Sequence, residues 1–163
     1  MSVVDFAIEC VKAVENIGEE FRRRARAFYT DIYVLGPAYV VALAAARSSA
    51  KAVSRGLCPE GCQNTASVES CKEAISKALS DVGSQTDEKK SYAAYGAALL
   101  YILKRLGVIK LEGLLDEKAQ QVDDKKLHVI FAEVLKELNR DPPVEAIEAA
   151  KWLKILAEAY YTK

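Results

Sequence analysis

The sequence predicts an all-α fold, a single-domain bundle of about seven helices over residues 1–163. Apolar residues recur three and four positions apart through most of the chain, and no stretch of useful length alternates as a strand does. Cap and stop residues such as Ser2, Gly18 and Gly107 fall at the ends of these periodic segments. The chain has 163 residues, of which 51% are hydrophobic, so it can form one core of its own.

The element boundaries follow from local signals. The first helix begins at Ser2, where Asp5 completes a capping box, and Gly18 ends it. Gly36 and Pro37 separate the second and third helices, because proline suits the first turn of a new helix. In chain order, helices are predicted over residues 2–16, 19–34, 37–55, 67–81, 87–106, 123–139 and 143–161, with a short one near 114–120. Glycines and a proline predict a cysteine-containing loop at residues 56–71.

Charge is unevenly distributed along a chain that is neutral as a whole, with 23 basic and 23 acidic residues. Residues 21–55 carry a net charge of +6 with Asp31 as their single acid, whereas residues 1–20 carry −4. Local positive charge of this kind is what phosphate binding uses. If residues 37–55 form one helix, Arg47, Lys51 and Arg55 share one face over about 12 Å.

Seven basic residues are therefore candidates to bind a nucleic-acid backbone: Arg22, Arg26, Arg47, Lys51, Arg55, Lys104 and Arg105. The competing interpretation is a solvated charged face. Tyr29 and Tyr33 lie one turn apart beside the arginines, where tyrosines can stack on bases. We favour instead a core position for Tyr29 and a half-buried one for Tyr33. Trp152 is either the edge of the core or an anchor in a subunit contact.

The spacing of Cys58, Cys62 and Cys71 leaves alternatives open. A structural zinc site usually has two close pairs of ligands, and the second pair is missing here. A disulfide from Cys71 to Cys58 or Cys62 and reduced thiols are the other two interpretations. Cys10 lies on an apolar helix face and is expected to be a core thiol.

Catalytic signatures are not seen in the sequence. There is no Walker loop, dinucleotide glycine pattern or HExxH motif, and His128 has no recognisable nucleophile motif around it. We expect a non-enzyme without cofactor or metal. The N-terminus does not resemble a signal peptide, and the uncharged run 32–46 is shorter than the roughly 20 residues that span a bilayer. We therefore expect a cytoplasmic protein without membrane contact, and the single methionine favours a thermophilic source.

Three stretches together resemble the small subunit of the type III-B (Cmr) CRISPR effector complex. The C-terminal AAKWLKILAEAYY has a tryptophan-leucine pair followed by Ala-Glu-Ala, as that family's C-terminus does. Residues 91–109, SYAAYGAALLYILKRLGVI, resemble its helix of spaced tyrosines that ends on a glycine. Residues 33–50, YVLGPAYVVALAAARSSA, resemble its glycine-marked entry into an apolar helix with a basic end. Pro37 and the cysteine loop depart from the family pattern.

The resemblance implies a non-catalytic subunit that stacks in several copies beside the backbone of an RNA-guided complex. Its basic faces would hold target RNA through the phosphates, while base pairing with the guide RNA reads the sequence. The implied partners are the other Cmr subunits, copies of this chain, guide RNA and target RNA. The alternatives are the small subunit of a related type III-A or type I complex, and a helical protein-interaction adaptor that binds no nucleic acid.

Overall fold

Helices account for every regular element in the computed structural model, which describes residues 2–57, 70–109 and 124–162. The predicted all-α bundle is confirmed. In the described ranges the α-helices are α1 (Val3–Lys12), α2 (Gly18–Leu35), α3 (Pro37–Ala46), α4 (Ala50–Ser54), α5 (Cys71–Val82), α6 (Asp87–Arg105), α7 (Asp124–Arg140) and α8 (Val144–Tyr161). A single 3₁₀ turn, Glu15–Ile17, links α1 to α2. The short helix predicted near 114–120 lies outside the described residues.

The N-terminus of α1 forms as predicted, but its C-terminus does not. The Ser2 hydroxyl accepts a hydrogen bond from the Asp5 amide, and the Asp5 carboxylate accepts one from the Ser2 amide at 2.9 Å. That backbone hydrogen bond lowers the pKa of Asp5. Gly18, predicted to end this helix, instead begins α2. A Cβ at Gly18 would lie 2.4 Å from Cδ1 of Tyr161, so the absence of a side chain admits the aromatic ring.

The third predicted helix is wrong as a continuous element. Residues 37–55 form two helices, because Ser48 and Ser49 interrupt the ladder of backbone hydrogen bonds. The Ser48 hydroxyl donates to the Ala44 carbonyl at 2.6 Å. Ser49 is extended and caps α4 by accepting from the amide of Ala52 at 3.3 Å. Positions 47, 51 and 55 therefore do not form one straight helical stripe.

The central element is α6, which is buried at every residue from Ser91 to Leu103. It packs against α1, α2, α3, α4, α5 and α8. Small residues permit the closest approaches: a Cβ on Gly56 would lie 2.1 Å from the carbonyl oxygen of Ala97. In the neighbouring contact with α4, a Cβ on Gly96 would lie 2.8 Å from Val53. A helix that is apolar all round is buried all round, and this one is enclosed by six others.

The outer helices are ordered around α6 by pairwise packing. Helix α8 packs against α1 and α2, and it runs antiparallel to α2: Tyr161 meets Gly18, and Lys154 lies 5.1 Å from the Tyr29 ring. Helix α7 packs against α3 and α4. No helix in the described ranges is both long and apolar enough to span a bilayer.

The predicted cysteine pairing is wrong. Cys71 forms its disulfide with Cys10, so the expected free thiol at Cys10 is wrong as well, and both residues are fully buried. Glu9 brings the two helices together, because its carboxylate accepts a hydrogen bond from the Cys71 amide at 2.5 Å. That amide belongs to the first turn of α5, where helix donors lack internal partners. Cys58 and Cys62 lie outside the described residues, and the described ranges contain no cluster of metal-binding side chains.

We expect that Cys10→Ala combined with Cys71→Ala lowers the free energy of unfolding by about 4 kcal/mol. The bond links residues 61 positions apart, and such a loop restricts the unfolded chain strongly. Urea denaturation at neutral pH measures the loss. A non-reduced peptide map that links Cys71 to Cys58 or Cys62 would contradict the assignment.

Tyr95 carries a buried hydroxyl at the centre of the bundle. Its ring packs against those of Phe21 and Phe28, at centroid distances of 5.9 and 4.9 Å. Within the described part of the chain, the hydroxyl has no hydrogen-bond partner. Burial raises the pKa of this phenol above its ordinary value of 10.0, because the phenolate would be desolvated.

We expect Tyr95→Phe to raise the free energy of unfolding by about 1 kcal/mol at pH 7, because it removes an unsatisfied buried group. In the parent, the raised folded-state pKa means that stability is complete below pH of about 10 and falls above it, where only the unfolded tyrosine ionises. The variant should lose stability less steeply with pH. Urea denaturation at pH 7 and between pH 9 and 11 tests both effects, and a destabilised variant at pH 7 would show that the hydroxyl is satisfied.

Candidate nucleic-acid interface

The cations of the basic segment divide according to whether a carboxylate neutralises them. Four are paired with acids. Arg23 contacts Glu19 and Glu20 one turn away on α2, while the other three bridge to a different helix. These three pairs are Arg26 with Glu158 at 3.0 Å, Lys51 with Asp81 at 4.0 Å, and Arg55 with Asp81 at 2.7 Å. The predicted phosphate ligands Arg26, Lys51 and Arg55 are thus engaged within the bundle.

Arg55 has the most buried of these ion pairs. Its side chain is 16% exposed and that of Asp81 is 14% exposed. The pair joins the C-terminus of α4 to α5, and its 2.7 Å contact is a hydrogen bond that Arg55 donates from Nε. A pair this enclosed fastens two helices, so its geometry supports a structural role for Arg55.

Two arginines from separate helices converge on Tyr92, which lies near the start of α6. Arg24 of α2 donates a hydrogen bond from Nη1 to the Tyr92 hydroxyl at 2.6 Å, and its guanidinium carbon lies 4.0 Å from the ring centroid. Arg47, at the C-cap of α3, places its guanidinium carbon 6.0 Å from the same centroid. Lys89 lines the cleft beside them. We call Arg24, Arg47, Lys89 and Tyr92 the Tyr92 cluster.

The Tyr92 cluster carries three cations, and Glu88 is the carboxylate that lines its cleft without forming an ion pair with any of them. No carboxylate of the described chain forms an ion pair with Arg24, Arg47 or Lys89. The Nε atom of Arg24 is buried without a hydrogen-bond partner among the same residues. A cleft of about 210 Å³ opens here, lined by Arg47, Glu88, Lys89 and Tyr92. Partly buried positive charge without a counter-ion is costly, and an anion would offset that cost.

An acidic groove adjoins the Tyr92 cluster. It has a volume of about 650 Å³ and lies between the N-terminal turns of α2 and α6. Its carboxylates are Glu15, Glu19, Glu20, Asp87 and Glu88, and Arg23 and Arg24 also line it. Acids at helix N-termini complement the helix dipole, which explains their presence. The charge sign therefore changes from one side of Glu88 to the other.

The other predicted ligands occupy varied surroundings. Arg22 is half-buried, and its Nε is enclosed without a partner in the described structure. Lys104 donates to the carbonyl of Leu57, and Arg105 lies over the Phe6 ring at 5.2 Å. These contacts attach the last turn of α6 to its neighbours, at the opposite end of the helix from the Tyr92 cluster.

The aromatic predictions need two corrections. Tyr29 is half-buried rather than in the core, and Tyr33 is 72% exposed rather than half-buried. Tyr29 still packs against the core from its edge, and Tyr33 lies in the last turn of α2 beside the exposed Val34 and Leu35. Trp152 is half-buried and packs against the core, with the Lys151 ammonium 5.3 Å from its ring.

Sequence reasoning missed Arg24, Lys89 and Tyr92 as parts of a basic site. Arg24 and Tyr92 are 68 positions apart, and no local pattern relates them. The segment charge did point to α2, but it did not indicate which arginines would be neutralised. Only the positions of Glu158 and Asp81 in the fold decide that.

We expect Arg55→Ala to lower the free energy of unfolding by about 1–3 kcal/mol, because Asp81 is then left enclosed without its closest cation. Arg47→Ala is the matched control, since an exposed cation without an ion pair should change stability by only about 0.5 kcal/mol. Chemical denaturation of both variants compares them. Equal stability of the two variants would contradict a structural role for Arg55.

The chain matches no protein-family model, no curated protein sequence and no solved structure with which it was compared.

Proposed function

We propose that this chain is a non-catalytic small subunit of a type III-B (Cmr) RNA-guided effector complex and that it holds RNA through phosphate contacts. The observation that carries the proposal is the convergence of Arg24 and Arg47 on Tyr92, with no carboxylate partner in the described structure. Phosphate contacts give affinity without reading sequence, as a subunit beside a guide–target duplex requires.

Two of the stretches that resemble the Cmr small subunit contain residues of the Tyr92 cluster. Residues 33–50 and 91–109 are two of the three stretches that resemble the Cmr small subunit. The first stretch contains Arg47 and the second contains Tyr92, and the fold brings these residues to one ring. The proposed site thus contains residues from two of the stretches on which the resemblance rests.

A single copy should bind RNA weakly, since a few phosphate contacts barely offset the loss of free motion on association. Several copies stacked along one strand would make the later contacts intramolecular and raise the apparent affinity. The partners in this proposal are the other Cmr subunits, further copies of this chain, guide RNA and target RNA. A small subunit of a related type III-A or type I complex would use the same surface.

A protein-interaction adaptor is the second candidate function, and one observation favours it. Tyr33, Val34 and Leu35 at the end of α2 are 72%, 70% and 54% exposed, and Tyr39 on α3 is 43% exposed. Contiguous exposed apolar side chains mark protein contact surfaces. An adaptor of this kind would show no steep dependence of RNA affinity on salt.

We expect Arg47→Ala to weaken target-RNA binding by the assembled complex about tenfold, because a charged hydrogen bond to phosphate is lost. The logarithmic salt slope should also flatten by about 0.7 for each single-strand contact removed. The effect should be uniform across RNA sequences. Fluorescence anisotropy at two or more salt concentrations measures both quantities.

The matched control is Arg23→Ala, which removes the same charge from a residue already paired with Glu19 and Glu20. It should leave RNA affinity nearly unchanged. If Arg47→Ala assembles normally and retains both affinity and salt slope, the basic cluster is a solvated face. The adaptor function would then be favoured, with Tyr33 and Trp152 as the residues to substitute next.

A further inference from the structure

We propose that the Tyr92 cluster is a subsite for one phosphate group, in which Tyr92 acts as a hydrogen-bond donor and Glu88 sets the affinity. The source of the phosphate, an internal phosphodiester of RNA, rests on the proposed function. The subsite itself rests on the donors that converge there. The subsite gives the proposed RNA binding one position on the protein, one ligand and one residue that opposes binding.

The hydrogen bond between Arg24 and Tyr92 orients the phenol. A guanidinium has only donors, so the Tyr92 oxygen accepts from Arg24 Nη1 at 2.6 Å. The phenolic hydrogen must then point elsewhere, and no acceptor in the described structure receives it. Because the charged guanidinium donates to this oxygen, it also polarises the O–H bond and strengthens the phenol as a donor. Tyr92 lines the cleft with a side chain that is 8% exposed, and the proposal directs its phenolic hydrogen toward a phosphate bound there.

Arg47 and Lys89 supply the charge that a phosphate needs. Arg47 is exposed at the end of α3, and Lys89 is half-buried in the first turn of α6. Both line the same cleft as Tyr92. The cleft has a volume of about 210 Å³, which leaves room for one phosphate group between these side chains. Arg24 contributes its charge from behind the phenol.

Glu88 opposes the ligand. It lines both the cleft of the Tyr92 cluster and the acidic groove. Its carboxylate repels a bound phosphate, and the further acids Glu19, Glu20 and Asp87 repel any strand that continues in that direction. A bound strand should therefore leave the subsite on the side of α3 and not over the acidic groove. Removal of the Glu88 charge should strengthen binding.

The test is a titration of the isolated full-length chain with inorganic phosphate, followed by backbone amide NMR shifts at constant ionic strength. Saturable shifts are expected at Lys89, Tyr92 and Arg47. Tyr92→Phe should weaken binding about fivefold and Arg47→Ala about tenfold, whereas Glu88→Gln should strengthen it several-fold. Arg23→Ala is the matched control and should bind as the parent does. Thermal unfolding of each variant checks that the fold persists.

Two further titrations, each with an oligoribonucleotide, distinguish the source of the phosphate. An oligoribonucleotide without terminal phosphates should respond to the four substitutions as inorganic phosphate does, if the subsite holds an internal phosphodiester. A response only for the same oligonucleotide with a 5′-phosphate would assign the subsite to chain ends and overturn the internal-phosphodiester assignment. Should Tyr92→Phe fail to fold, the opposite effects of Arg47→Ala and Glu88→Gln, both at exposed positions, still decide the matter.

The failure of the subsite and the failure of the proposed function give different results. If RNA binds but none of the four variants differs from the parent, the subsite is wrong while phosphate binding elsewhere survives. If inorganic phosphate binds with the expected variant effects but target RNA binds the assembled complex equally well with Arg47→Ala, the subsite stands and the RNA-holding role is wrong. Unchanged shifts at every cluster residue throughout the phosphate titration overturn the subsite directly.

Discussion

From Ser91 to Leu103, α6 has no exposed residue, so this helix must fit closely against its neighbours on every side. Alanines and Gly96 allow α3 and α4 to approach closely, while the larger tyrosines fill the space toward α1 and α2. Close packing on all faces leaves few arrangements for the six surrounding helices. The positions of the charged side chains on those helices follow from the enclosure of α6.

Because the middle of α6 excludes charge, its cations lie at the two ends of the helix. Lys104 and Arg105 at the C-terminal end contact Leu57 and Phe6, and they secure the last turn. At the other end, Lys89 meets arginines of α2 and α3 around Tyr92. The C-terminal end of α6 thus binds neighbouring parts of the bundle. The N-terminal end lies beside a cleft where positive charges are close together.

The disulfide between α1 and α5 lies beside a hydrogen-bonded contact that these two helices share with α6. Glu9 accepts hydrogen bonds from the Cys71 amide and from Tyr101 of α6, so α1, α5 and α6 meet at one carboxylate. The Cys10–Cys71 bond lies next to it in both helices. This arrangement fixes the start of α5, and with it Asp81 near the other end of α5, which binds Arg55 and so holds α4 in place.

Periodicity and caps determined the helical class, the Ser2 capping box and the break at Gly36 and Pro37, because these depend on residues a few positions apart. The net charge of residues 21–55 likewise indicated a basic surface on α2 and α3. The sequence alone did not show that Ser48 and Ser49 divide the third helix, since serines also occur within helices. It could not show that Cys71 pairs with Cys10. It also could not show that Arg26 pairs with Glu158 and Arg55 with Asp81. Nor could it show that Arg24 and Arg47 meet at Tyr92. Those outcomes depend on contacts between residues 26 to 132 positions apart, and only the packing around α6 brings such residues together.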